Sequence, residues 1–197
     1  MGDGKHFMVF PLRRGELLNY VGFVPTTNET AESWSAVGDR DELAASFSGW
    51  DTRVTRLLDE VQTCFWWGLY DRKPLDRWVN GHLALLGDAA HPMLPHLGQG
   101  ANQAIEDGMA LAVLLEGCPG NFSVQEALAR YETLRRPRTA MVQAEARKNG
   151  LRYDSKYADL GERDREIANS ALLRKDLYDY AVEQRANEMR RQDSVAT

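Results

Sequence analysis

The sequence has no strand–GxGxxG–helix unit, no GxSxG, no CxxC pair and no apolar run of membrane length. Each absence removes a class. Gly98-Gln99-Gly100 is followed by Ala101-Asn102-Gln103, so the third glycine of a dinucleotide-binding fingerprint is missing. Without GxSxG there is no nucleophile elbow of the hydrolase type. The two cysteines, Cys64 and Cys118, lie far apart, which suits thiols in a reducing compartment and not a disulfide framework. The longest apolar run, Met109–Leu115, falls far short of the roughly 20 residues that span a bilayer. A net charge of −5 argues against a nucleic-acid surface. The polar start carries no visible signal peptide, so the expected location is cytoplasmic.

What is present centres on LALLGDAAHPMLPHLGQGANQAIEDGMALAVLL, Leu83 to Leu115. Leu83–Leu86 reads as a buried strand, and Gly87–Gly100 as a loop with three glycines and two prolines. From Asn102 to Leu115 apolar residues recur at helical spacing (Ala101, Ala104, Ile105, Gly108, Met109, Ala112 and Leu115), which predicts a buried helix. In an open α/β sheet, ligands bind beyond the carboxyl ends of strands, where Asp88 falls. Gly98, Gly100 and Asn102 open the helix, whose free N–H groups and dipole favour negative charge. A carboxylate that accepts hydroxyl hydrogen bonds thus faces an anion-holding helix start. That pairing suits a polyhydroxylated ligand with an electron-rich head.

Taken in order, His6–Leu12 and Leu17–Val24 read as a hairpin around a two-residue turn at Arg14-Gly15. Gly22 reads as a bulge, with close ligand approach as the sharper alternative. Pro25–Gly38 is loop-like. Asp39 with Glu42 starts one helix, and Asp51 caps the next. Cys64–Asp71 (CFWWGLYD) is aromatic and β-prone and reads as a strand ended by Lys73-Pro74. Asn80-Gly81 signals a hairpin turn leading into Leu83–Leu86. Ser123-Val124-Gln125-Glu126 is a capping box, Pro137 is expected to kink or restart the helix, and Gly150 to stop it. Further helix is expected around Arg163–Leu173 and Asp176–Met189, with a frayed end. Arg135-Arg136-Pro137-Arg138 is the one basic cluster and reads as a solvated or ion-paired helix junction. A metal reading of His82, Asp88, His91 and His96 is disfavoured, because no helix places His91 and His96 on one face across two prolines.

LLGDAAHPMLPHLGQGANQAIED resembles the second flavin-contacting motif of the class A FAD-dependent aromatic monooxygenases, nearest the salicylate and hydroxybenzoate hydroxylase branch. HFMVFPLRRGELLNYVGF, WGLYDRKPLDRW, YETLRRPRTAMVQ and DLYDYA extend the resemblance in order along most of the chain. It implies FAD as cofactor, NADH or NADPH as electron donor, and O2 and a phenolic acid such as salicylate as partners. In that family reaction passes through a flavin C4a-hydroperoxide. Carried to this chain, it implies that Gly87 and Asp88 hold the ribityl hydroxyls and that Gly98, Gly100, Ala101 and Asn102 approach the ring, the last two by their amides. It further implies a catalytic pair, Pro95 with its carbonyl facing the substrate hydroxyl and Gln99 beside the ring within reach of substrate, and that His96 and Gly22 border the substrate.

The family's N-terminal Rossmann unit and its middle Asp-Gly motif have no counterpart, Asp3-Gly4 being a lone pair with no strand before it. The expected fold class is therefore α/β, an α+β fragment. It comprises a substrate-wall sheet with two short helices (1–80), a flavin-binding strand–loop–helix (81–120) and a C-terminal helical region (121–197). The expected protein partner is a missing N-terminal half or a second copy. The alternative is a non-catalytic remnant or binding module.

Overall fold

The computed structural model describes residues 1–2, 4–26, 33, 35–120, 123–156, 159–169 and 171–191. They form a mixed helix and strand structure in two compact units. The first comprises Met1–Tyr70 with Leu151–Ala158, and the second Asp71–Gly150 with Asp159–Thr197.

The first unit is built on an antiparallel hairpin, β1 (His6–Leu12) and β2 (Leu17–Phe23). Leu12 pairs with Leu17, so the connection is longer than the expected two-residue turn: Arg13, Arg14 and Gly15 all take positive φ. The ladder continues one-to-one through Phe7 opposite Gly22, so there is no bulge. Gly22 has a packing reason instead, because a Cβ there would lie 2.7 Å from the ring of the fully buried Phe47. Phe47 ends α1 (Arg40–Ser46), and Val54 and Leu58 of α2 (Thr52–Asp59) join the same core. Both helices start as the sequence indicates. The Asp39 carboxylate accepts from the Asp41 and Glu42 amides, and Asp51 accepts from the Arg53 amide.

Cys64–Asp71 is not the expected strand. Phe65 makes a single bridge to Val37, held by Gly38 N–H to Cys64 O and Trp66 N–H to Ala36 O, both 2.9 Å. A β-prone run needs a partner edge, and only Ala36–Gly38 supplies one among the described residues. Half of the expected loop at Pro25–Gly38 lies outside the described residues.

In the second unit, β3 (Val79–Asn80) pairs with β4 (Leu83–Ala84) around Gly81-His82, one residue later than expected, with Gly81 at φ 59°. Leu83–Leu86 is not a buried strand: the ladder is two residues long, and Leu83 and Leu86 are exposed. α3 (Gly100–Leu115) is followed by α4 (Val124–Asp154), whose start carries the Ser123–Glu126 capping box. α4 runs unbroken through Pro137 and Gly150, neither interrupting nor stopping there as expected. α5 (Leu160–Asn169), α6 (Ala171–Tyr178) and α7 (Val182–Arg191) complete it, so the last break falls at Asp179–Ala181. Arg138 caps the end of α6, donating to the carbonyls of Asp176 and Leu177 while stacking on Tyr180. Trp78, Ala90, Ala110, Leu114, Tyr131 and Ala186 form the core.

The face that α3 buries is the reverse of expectation. Gln103, Asp107, Ala110 and Leu114 point inward, whereas Ala101, Ile105, Gly108, Met109 and Ala112 are exposed. The inner polar residues meet α4, where Arg135 is wholly buried and Arg138 nearly so. Burying a guanidinium demands acceptors, and Glu106, Asp107 and Gln103 supply them.

Candidate functional site

The Leu85–Leu97 segment is held from α4 at successive points. Tyr131 Oη donates to Leu85 O (3.0 Å), Gln143 Nε2 to Pro92 O (2.8 Å) and Asn149 Nδ2 to His96 O (2.6 Å). Between these ties, Gly87 turns the chain at φ 57° into a 3-10 turn, Gly87–Ala89. Its buried N–H donates to Asp107 (2.9 Å), and a Cβ there would press on Ala104 of α3 at 3.3 Å. The turn therefore lies directly against α3 and leaves Asp88 exposed.

A second 3-10 turn, Pro95–Leu97, ends at Gly98, whose φ of 62° is a left-handed conformation that glycine adopts without strain. Among the described residues, no side chain caps the start of α3 at Gly100. The amides of its first turn are thus left for another acceptor. The place where a Gly100 Cβ would stand is 3.9 Å from Asp88 Oδ1 and 4.0 Å from Met93 Cγ, so the carboxylate faces the helix start beside the Met93 side chain.

The remaining sequence-derived positions divide. Ala101 and Asn102 are exposed on the first turn of α3. Pro95 is exposed, and its carbonyl already accepts the Gly98 N–H (2.9 Å), leaving one lone pair. Gln99 is buried and its carbonyl accepts the Gln103 N–H. His96 is buried, and its ring fills the space that a Cβ on Gly150 would take, at 2.5 Å. His82 is exposed and His91 is bound to Asp107, so the histidines serve separate roles.

Asp107 is the residue that sequence reading passed over. It is fully buried and accepts from Gly87 N–H, from His91 Nε2 (2.6 Å) and from Arg135 Nε (2.8 Å). Burial works to raise its pKa. The hydrogen bonds from His91, Arg135 and Gly87, with the Arg135 charge, outweigh it and hold the carboxyl below the usual carboxylate value. The legible signal was an acid pair, Glu106-Asp107, on an apolar helix, together with a basic cluster at Arg135–Arg138.

An exposed carboxylate on a glycine turn, opposed to a helix start flanked by glycines, has the chemistry to take a ligand rich in hydroxyls with an anionic or electron-rich group. Comparison with known proteins gives that class its family. Residues 2–146 match the family model described as FAD binding domain, and the chain belongs to that family. Among curated relatives, it is 38% identical over 153 residues to 3-amino-4-hydroxybenzoate 2-monooxygenase PtnB3 of Streptomyces platensis, covering 78% of this chain and 38% of that one. It is 34% identical over 186 residues to salicylate hydroxylase of Pseudomonas putida, covering 90% and 41%. The solved structure titled salicylate hydroxylase substrate complex matches with a TM-score of 0.81 at 29% identity, over 95% of this chain and 48% of that one. The chain thus spans about two fifths of the length of these curated relatives.

Proposed function

We propose that this chain carries the flavin-contacting loop of an FAD-dependent aromatic monooxygenase that hydroxylates a phenolic acid such as salicylate. The observation that carries the reading is the placement of Asp88 against the start of α3. Bound there, FAD would supply the activation of O2, with reducing equivalents from NADH or NADPH.

The chain's own residues bind and orient. Asp88 accepts hydrogen bonds from ribityl hydroxyls, beside the buried turn at Gly87. Gly98 and Gly100 let the backbone come close to the ring, because neither presents a Cβ. The amides of Ala101 and Asn102 donate to the pyrimidine end, and the α3 dipole favours negative charge there. The free lone pair of the Pro95 carbonyl is the acceptor for a phenolic hydroxyl. Gln99 and His96, both buried, shape the loop from inside. Gly22 is left out of the proposed site, since Phe47 accounts for it.

The test is retention of flavin absorbance after incubation with FAD and desalting, compared with Asp88→Ala. Equal retention by the variant removes Asp88 from the site. Turnover is read as NADH or NADPH oxidation stimulated by salicylate, with one oxygen from 18O2 in the product. The alternative reading is a binding module without turnover. Flavin retained with no such oxidation identifies it.

A further inference from the structure

Asp88 is flanked by two groups that end on the same carboxylate. One residue before it, the Gly87 N–H donates to Asp107 Oδ2; three residues after it, the His91 ring binds the same oxygen. The other oxygen, Oδ1, takes Arg135 Nε. A carboxylate only accepts, so all three partners donate, and His91 carries its hydrogen on Nε2. The backbone between is wound tight, since the Ala90 and His91 amides both donate to Gly87 O at 2.9 Å. Every atom of this junction is buried: Asp107 and Arg135 are 0% exposed and His91 1%.

The location of Asp107 gives the junction its consequence. It sits on α3, seven residues after Gly100, which is about two helical turns. The helix that offers its free amides at one end thus grips, further along, the turn that presents Asp88. One rigid element carries both halves of the site.

We propose that Asp107 is a positioning residue of the flavin site, locking the Gly87–His91 turn onto α3 and so setting the separation of Asp88 from the Gly100–Asn102 amides. The proposal rests on the reading of that loop as the flavin site. An asparagine cannot replace it. Its single oxygen satisfies either the Gly87 and His91 donors or the Arg135 donor, and its NH2 then opposes the rest. Arg135 keeps the acceptor ionised and is itself fixed by Gln103 and Glu106, so the grip does not depend on solvent.

The test uses the whole chain as Asp107→Asn, with His91→Phe as the milder variant that keeps the ring packed on Trp78. Leu128→Ala, at a buried position of α4 with no bond to Asp107 or His91 among the described residues, controls for general destabilisation. FAD affinity is read by flavin fluorescence at matched folded fraction. Asp107→Asn is expected to weaken it at least about tenfold, the loss of hydrogen bonds to a charged group, and His91→Phe severalfold, with Leu128→Ala unchanged. The Gly87 amide proton, read by NMR, is expected to move upfield in Asp107→Asn as its charged acceptor is lost. FAD bound equally by the unaltered chain, Asp107→Asn and His91→Phe overturns the proposal and leaves the flavin reading standing. No FAD bound by the unaltered chain contradicts the flavin reading. The Gly87 amide then still decides the clamp, and an unmoved resonance overturns it. Should Asp107→Asn not fold, His91→Phe decides alone, and unchanged FAD affinity overturns the proposal.

Discussion

Replacing Arg135 by methionine removes a buried cation while keeping most of its volume. The guanidinium donates to Asp107, to Glu106 and to both the backbone and side-chain oxygens of Gln103, with none of its surface in water. Glu106 keeps Arg138 as a partner, but Asp107 is left with His91 and the Gly87 amide. Breaking one side of a buried pair costs about 3–5 kcal/mol, a large part of the roughly 5–15 kcal/mol that holds a domain. The pH dependence separates this from lost packing. With Arg135 present, the folded-state pKa of Asp107 is lowered, so its contribution is full above the unfolded carboxyl pKa and lost as pH falls through the folded value. Without Arg135, burial is opposed only by the His91 and Gly87 hydrogen bonds and the pKa rises, so the penalty present at neutral pH is relieved as the carboxyl takes up a proton on acidification. Denaturant unfolding followed by circular dichroism at pH 7 and pH 5 measures both proteins. The stability difference between them is expected to shrink at the lower pH. A difference that stays constant refutes the assignment of a charged, Arg135-compensated Asp107.

Four further expectations are local. Gly150→Ala places a Cβ 2.5 Å from the buried His96 ring, and the resulting strain of about 1–3 kcal/mol outweighs the helix gain of about 1 kcal/mol. Gly108→Ala, with nothing within 4 Å, is expected to keep that gain, and thermal melts of the two should shift in opposite directions. Gly22→Ala drives a methyl into Phe47 and should destabilise the first unit by about 1–3 kcal/mol; an unchanged denaturation midpoint would show that Phe47 is free to move. The Asp51 carboxyl is lowered to about 2 by the Arg53 side chain and amide. Its cap on α2 should persist above the ordinary carboxyl range and fail only as pH falls toward about 2, a carbon-13 titration midpoint near ~4 being the contrary result.

The local features of this chain were legible because local chemistry decides them. Asp39 and Asp51 cap their helices, Ser123 and Glu126 bond reciprocally, and the β1–β2 pairing follows from two β-prone runs. Asp88, Gly98 and Gly100 stood out because a carboxylate and two glycines around a helix start have few structural uses. The inward face of α3 was not legible. Periodicity weighs apolar residues, and it assigned Ala101, Ile105 and Met109 to the core, while the inner face is held by ion pairs between residues 16 to 32 apart in sequence. Gly22 and Gly150 misled for the same reason: each makes room for a ring, Phe47 or His96, that no local pattern brings near. CFWWGLYD failed as a strand because β-propensity states a preference and not a partner.

The most direct test is to titrate the isotopically labelled chain with FAD and follow each backbone amide. Shifts concentrated at Asp88, Gly98, Gly100, Ala101 and Asn102, and abolished at Asp88 and its neighbours by Asp88→Ala, are the expected result. No shift at millimolar FAD, or shifts confined to other surfaces such as the open groove of Met109, Tyr180 and Val182, would contradict the assignment of this loop to the flavin.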